Sequence, residues 1–386
     1  MKLFLQNLLL IIGLSVTVLQ VAEFMANRIS LDPSLRAACK VGAKIDERDR
    51  RDAVVDLRRV NENWFPAVPA NAYLENRLLT ADSARIVPLG GVANAEVVGC
   101  NDSGYFSTFP TDEFGFNNPH EAWHEGPRKK VFFVGDSFTQ GDCRRQGESI
   151  VDRLRAAVPG VINLGSGGNG PLLELAGIRE YVADGAVAKV VWMYTEGTDL
   201  EDLKRDVRNE VLTNYLDPKF SQQLRARRDE VNGIVRRYVE KLISDYIDNR
   251  PRFIPTLRTA VWQALHHGMS QVHQAAGPVA DESYDIALFG RVLALAKAEV
   301  EGKGGQLVFV YLPEYNRFSG QMPSEPARYR EQVLSLVHQL KIRVVDVDPI
   351  IKNASDPLAL YPYRLKGHFN PEGTALVAVV IERVIH

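Results

Sequence analysis

Ser137 follows an apolar run, Val131-Phe132-Phe133-Val134, and the pair Gly135-Asp136. The run shows no polar alternation, which suits a central strand of a parallel sheet covered on both faces. Gly135 ends that strand, so Asp136 and Ser137 stand just beyond its carboxyl end, where ligands bind in open α/β sheets. A serine hydroxyl becomes a nucleophile only when a base takes its proton, and the acyl oxyanion that follows needs donors aimed at it. The chain offers both kinds of partner. His368 lies in Leu365-Lys366-Gly367-His368-Phe369-Asn370-Pro371-Glu372-Gly373, ahead of an apolar helix over 374–384. Between serine and histidine, residues 161–171 read as a short strand opening into the glycine-rich loop Gly165-Ser166-Gly167-Gly168-Asn169-Gly170.

Together these blocks resemble the SGNH hydrolases, also called GDSL esterases, over residues 131–386 with a long insertion. The resemblance implies Ser137 as nucleophile, His368 as general base, and an oxyanion hole built from the backbone amides of Ser137 and Gly168. It implies a flavodoxin-like, three-layer α/β fold around a central parallel sheet, and neither metal nor organic cofactor. Asp136 then braces the serine turn and Asn370 supports the final block. Two positions depart from the family pattern. Thr198 in Glu196-Gly197-Thr198-Asp199 stands where an oxyanion-hole asparagine is expected, and its hydroxyl can donate one hydrogen bond with a shorter reach. Leu365 stands three residues before His368, where the family has an aspartate. The site is then a Ser-His dyad, or Asp348, Asp356 or Glu196 orients the imidazole; the sequence leaves these open.

The elements that must position these residues alternate along the chain. Strands are expected at 131–134, 161–164, 189–194, 306–312 and 344–347, and helices after the serine turn and at 171–181, 287–301, 327–340 and 374–384. Strand and helix in alternation argue for a parallel sheet with right-handed crossovers. Residues 200–277 interrupt the rhythm with a charged, helix-rich insertion whose apolar positions, such as Val231, Ile234, Val235, Tyr238 and Leu242, fall on one helical face. It reads as a lid, a docking surface or a membrane-contacting element. His266 and His267 within it are adjacent, point apart on a helix and have no partners spaced for a metal.

Ahead of the hydrolase block, residues 61–128 are short extended pieces broken by Pro, Gly and Asn, expected to form a β-rich arm whose aromatics pack in the core. Residues 27–60 are charged, with alternating signs from Asp46 to Asp52, and read as a solvated stalk. Residues 3–22 are an apolar run of a length that can cross a bilayer, preceded by Lys2, and residues 1–26 are expected to be an uncleaved signal anchor. The catalytic domain, 129–386, would then face the extracytoplasmic, periplasmic side.

With 45% hydrophobic and 24% charged residues the chain can bury a large core, and a net charge of −2 gives no electrostatic case for nucleic acid. The three cysteines, Cys39, Cys100 and Cys143, lack metal-ligand spacing. A Cys39–Cys100 pair suits an oxidising compartment, with Cys143 as a packing residue. The expectation is a membrane-anchored serine ester hydrolase acting on an ester-bearing substrate, such as acetyl groups on a cell-surface or exported polysaccharide. Its alternatives are an O-acyltransferase on the same glycans and a non-catalytic glycan-binding or scaffold protein that retains the fold.

Overall fold

A computed structural model describes residues 40–74, 86–248 and 285–386, with a few positions between 13 and 38. The expected anchor falls almost wholly outside these residues, as do Cys39, His266 and His267. No helix among the described residues is long and apolar enough to cross a membrane. The chain divides into two units, Met1–Ile45 with Tyr246–Ser283, and Asp46–Asp245 with Tyr284–His386. The second unit carries everything that follows.

Its strands, in chain order, are β1 (Trp64–Pro66), β2 (Glu96–Val98), β3 (Thr108–Pro110), β4 (Lys130–Gly135), β5 (Val161–Asn163), β6 (Val187–Thr195), β7 (Gln306–Leu312) and β8 (Arg343–Asp346). The last five form one sheet in the order β5-β4-β6-β7-β8, every pairing parallel. This is the flavodoxin-like order that the resemblance implies. The chain passes from β4 outward to β5 and then crosses to β6 on the other side. The topological switch point therefore lies between the carboxyl ends of β4 and β6, and Ser137 follows β4 there.

The period-two geometry of strands divides the apolar runs between two cores. Phe132, Val134, Val190, Trp192, Tyr194, Phe309 and Tyr311 face one core, which the helices Pro171–Tyr181, Ile286–Gly302 and Arg330–Gln339 cover. Val131, Phe133, Val191, Met193, Val308 and Val310 face the other, covered by the helices Ile150–Ala157 and Pro371–Ile385. Burial on both faces is why these strands carry no alternation in sequence.

The arm forms its own sheet in the order β1-β2-β3, with β1 and β2 parallel and β2 and β3 antiparallel. Its aromatics Phe65, Phe114, Phe116 and Trp123 are buried in the larger core. Two expectations need correction. The charged run from Asp46 is not a solvated stalk: the helix Arg50–Arg58 buries Ala53 and Val54 in that same core, and its Arg58 donates to the Trp64 carbonyl at 3.0 Å. The insertion is not a free lid over its first half. The helix that begins at Arg228 buries Val231, Ile234, Val235, Val239 and Ile243, sets Tyr238 edge-on to Tyr73 of the arm, and its Glu240 pairs with Arg58.

Candidate active site

The serine turn is built by close approach. A Cβ at Gly135 would lie 2.1 Å from Thr139 Oγ1, so only glycine lets the chain fold back from β4 into the short helix Ser137–Gln140. Asp136, 3% exposed, caps that helix by accepting from the Phe138 N–H at 2.9 Å. It braces the turn, as the motif implies. Burial pushes its pKa up, opposed by the Phe138 N–H and the His368 charge.

His368 arrives on the loop before the C-terminal helix, whose N-cap is Asn370. The Asn370 side chain accepts from the Gly373 N–H at 2.9 Å and donates to the Ala359 carbonyl at 2.7 Å, fixing the loop at both ends. Phe138 packs on the imidazole at 4.8 Å between ring centroids. His368 Nε2 lies 2.8 Å from Ser137 Oγ. His368 Nδ1 lies 2.8 Å from Asp102 Oδ2, which also accepts the His368 backbone N–H at 3.2 Å.

Asp102 is the residue that sequence reasoning missed. It sits on the loop between β2 and β3 of the arm, not on the connection that carries His368. Gly367 makes room for it, since a Cβ there would lie 3.0 Å from Asp102 Oδ2. An ionised carboxylate only accepts, so the Nδ1 proton points at Asp102 and the Nε2 lone pair faces Ser137. Burial lowers the His368 pKa, but the hydrogen bond and charge of Asp102, with the charges of Asp142 and Asp136, outweigh it and the net shift is upward. Burial likewise works to raise Asp102, and the imidazolium and Arg144 outweigh it downward.

No known family model and no curated protein matches the sequence. Solved structures similar to the chain include the following. One is a member of the lipolytic G-D-S-L family from Veillonella parvula, at 13% identity and a TM-score of 0.36, with 66% of this chain and 97% of that one covered. The others are two catalytic mutants of Axe2, an acetylxylan esterase from Geobacillus stearothermophilus. They align at 15% and 14% identity with TM-scores of 0.35 and 0.36, each over 68% of this chain and 95% of theirs. At such identities and scores, what the chain does has to be read from its own residues.

The acids considered from sequence are all committed elsewhere. Glu196, fully buried, accepts from Tyr311, from Arg317 and from the Glu314 N–H at 2.9 Å. Asp356 pairs with Arg364, and Asp348 lies 3.9 Å from Arg330. The dyad reading falls for the same reason, because a carboxylate does hold the imidazole.

A disulfide joins Cys100 to Cys143, which corrects both the Cys39–Cys100 pairing and the reading of Cys143 as a packing residue. It ties the Asp102 loop to the segment just after the serine helix. Asp142 Oδ1 secures the same junction, accepting the Cys100 N–H at 2.8 Å and the Cys143 N–H at 3.0 Å. Arg144, 2% exposed, donates to Ser103 at 2.9 Å on the same loop.

On the oxyanion side, Asn163 at the end of β5 links the serine helix to the glycine loop. Its amide donates to the Thr139 carbonyl at 2.8 Å and its side-chain oxygen accepts the Gly165 N–H at 2.8 Å. Gly168 has a left-handed φ of +66°, and its carbonyl accepts from Arg205 at 2.6 Å. The Gly167 N–H is taken by Gln140 at 2.9 Å. The N–H groups of Ser137 and Gly168 meet no acceptor among the described residues. Thr198 differs from the expectation: its hydroxyl donates to Asp136 Oδ2 at 3.4 Å, so it is turned toward the cap of the serine helix.

Proposed function

We propose that this chain is a serine ester hydrolase of the SGNH type. The observation that carries the reading is the unbroken chain from Ser137 Oγ to His368 Nε2 and from His368 Nδ1 to Asp102, at 2.8 Å each. In that arrangement His368 takes the hydroxyl proton as Ser137 attacks an ester carbonyl. The N–H groups of Ser137 and Gly168 receive the negative oxygen. The tetrahedral adduct expels the alcohol, which leaves with the proton held by His368. Water then repeats the sequence on the acyl-enzyme and frees the acid. Asp102 holds the imidazole in one tautomer and steadies the imidazolium; it is a positioning residue and does not itself take the proton.

The substrate class we infer is an acyl, chiefly acetyl, ester on a cell-surface or exported glycan. The apolar run at the amino terminus supports an anchored, outward-facing enzyme, and the Cys100–Cys143 disulfide supports an oxidising, extracytoplasmic compartment. O-acyl transfer to a glycan would use the same acyl-enzyme, with a sugar hydroxyl replacing water.

The test is labelling of the full chain with a fluorophosphonate serine probe, with p-nitrophenyl acetate turnover in parallel. Wild type is expected to label and turn over, while Ser137→Ala and His368→Ala do neither. Labelling that survives Ser137→Ala, or a folded wild type that neither labels nor turns over, would sink the proposal.

A further inference from the structure

An oxyanion hole with two backbone donors and no side-chain amide is incomplete by the pattern that the motifs suggest. Thr198, which stands in the amide's place, is turned to Asp136. A carboxamide nevertheless reaches the glycine loop from a different part of the chain. A Cβ built on Gly168 would lie 2.3 Å from Asn71 Nδ2, 2.9 Å from its Cγ and 3.3 Å from its Oδ1, so the Asn71 amide rests directly against the Gly168 α-carbon. Glycine at 168 is thus required twice, by its left-handed backbone and by this contact.

The placement of Asn71 is secured on both sides. Just before it, the Ala70 N–H donates to Ser166 Oγ at 3.2 Å, docking the arm onto the glycine loop. Just after it, Tyr73 is 4% exposed in the larger core, with its ring edge-on to Tyr238 at 5.6 Å. The same stretch borders the serine. A Cβ at Gly167 would lie 3.7 Å from Pro69 Cβ and 3.9 Å from Ser137 Cβ, so arm and nucleophile flank the same pair of glycines. Among the described residues the Asn71 side chain has no hydrogen-bond partner, and its Nδ2 is the atom nearest to a Cβ built on Gly168.

We infer that Asn71 is the third oxyanion donor, doing from the arm what Thr198 does not do from the end of β6. The inference rests on the proposed esterase reading and adds to it a catalytic residue outside all the motif blocks. Its Nδ2–H would join the Ser137 and Gly168 amides on the developing oxyanion. Such a donor strengthens as charge moves onto the oxygen, so its loss lowers kcat and leaves KM little changed.

The experiment compares Asn71→Ala and Asn71→Asp with wild type and Ser137→Ala on p-nitrophenyl acetate, with thermal unfolding of each. Asn71→Asp has the shape of asparagine but offers the oxyanion a carboxylate, so it separates donation from packing. The expected result is a fall in kcat of about 10²- to 10³-fold in Asn71→Ala, the usual scale for one oxyanion donor. Asn71→Asp is expected to fall at least as far, with wild-type Tm and KM. Asn71→Asp within threefold of wild type while Asn71→Ala is impaired would show a packing role and overturn the inference. Both variants near wild type would overturn it as well. In each case an active wild type leaves the esterase reading standing; an inert wild type overturns both.

Discussion

Replacing Asp102 by asparagine removes one charge and keeps the shape. In the folded protein Asp102 Oδ2 accepts from both His368 Nδ1 and the His368 backbone N–H. An asparagine whose side-chain oxygen takes the place of Oδ2 still accepts both hydrogen bonds, but it carries no charge to steady the imidazolium that forms as Ser137 Oγ gives up its proton. The lost attraction for the imidazolium is about 4 kcal/mol for a pair of charges near 4 Å at an effective dielectric of 20. The expected loss is therefore about 10³-fold in kcat, at 1.36 kcal/mol per decade. The assay is p-nitrophenyl acetate hydrolysis across pH 5 to 9, with Ser137→Ala as the floor and Asp348→Asn, Asp356→Asn and Glu196→Gln as comparisons. The wild-type acid limb reports deprotonation of His368. Because the net shift is upward, activity should rise through a pKa above the ordinary histidine value of 6.5. Asp102→Asn should move that limb downward as well as lowering the plateau. An Asp102→Asn enzyme within tenfold of wild type, with an unmoved acid limb, would refute the assignment. So would a comparable loss in Asp356→Asn or Asp348→Asn.

The Cys100–Cys143 disulfide spans 43 residues, and closing a loop of that length is worth about 4 kcal/mol in the chain-entropy account. Reduction, or the pair Cys100→Ser with Cys143→Ser, should lower Tm and reduce kcat more than KM as the Asp102 loop loosens; unchanged Tm and kcat on verified reduction would contradict this. Glu174, in the helix Pro171–Tyr181, is 1% exposed, and burial, then the charges of Asp136, Asp206 and Asp202, push its pKa well up against the pull of Trp192. A carboxyl with a raised folded pKa binds its proton more tightly in the native state. Stability is therefore lost as pH climbs from the unfolded value near 4.5 toward the folded one, by about 1.4 kcal/mol per unit. Glu174→Gln should match wild type in Tm near pH 4.5 and exceed it at pH 8, and a Tm difference independent of pH would count against a buried, proton-holding Glu174.

What the sequence by itself determined is local. The strands β4 to β7 announce themselves because burial on both faces demands unbroken apolar runs. The helices follow from spacing, and Pro171 and Pro371 open two of them at the position proline favours. Ser137 and His368 were legible because each needs a particular backbone around it, a glycine-broken strand end and a loop capped by Asn370. Gly168 was singled out because it matches the glycine of the second motif block, and the structure adds that it holds a left-handed φ. What only the tertiary structure decided is which side chains complete the site. Asp102 lies 266 positions from His368, and a carboxylate on a loop carries no signature of the imidazole that it will meet. The charged residues 46–58 show the same limit, since a helix that buries only Ala53 and Val54 looks solvated along its sequence. Cys100 finds Cys143 and Asn71 finds Gly168 for one reason: the arm's aromatic core docks against the sheet, and docking sets distances that residue spacing does not encode. Thr198 and Leu365, where the motif pattern breaks, are the positions whose work has passed to the arm.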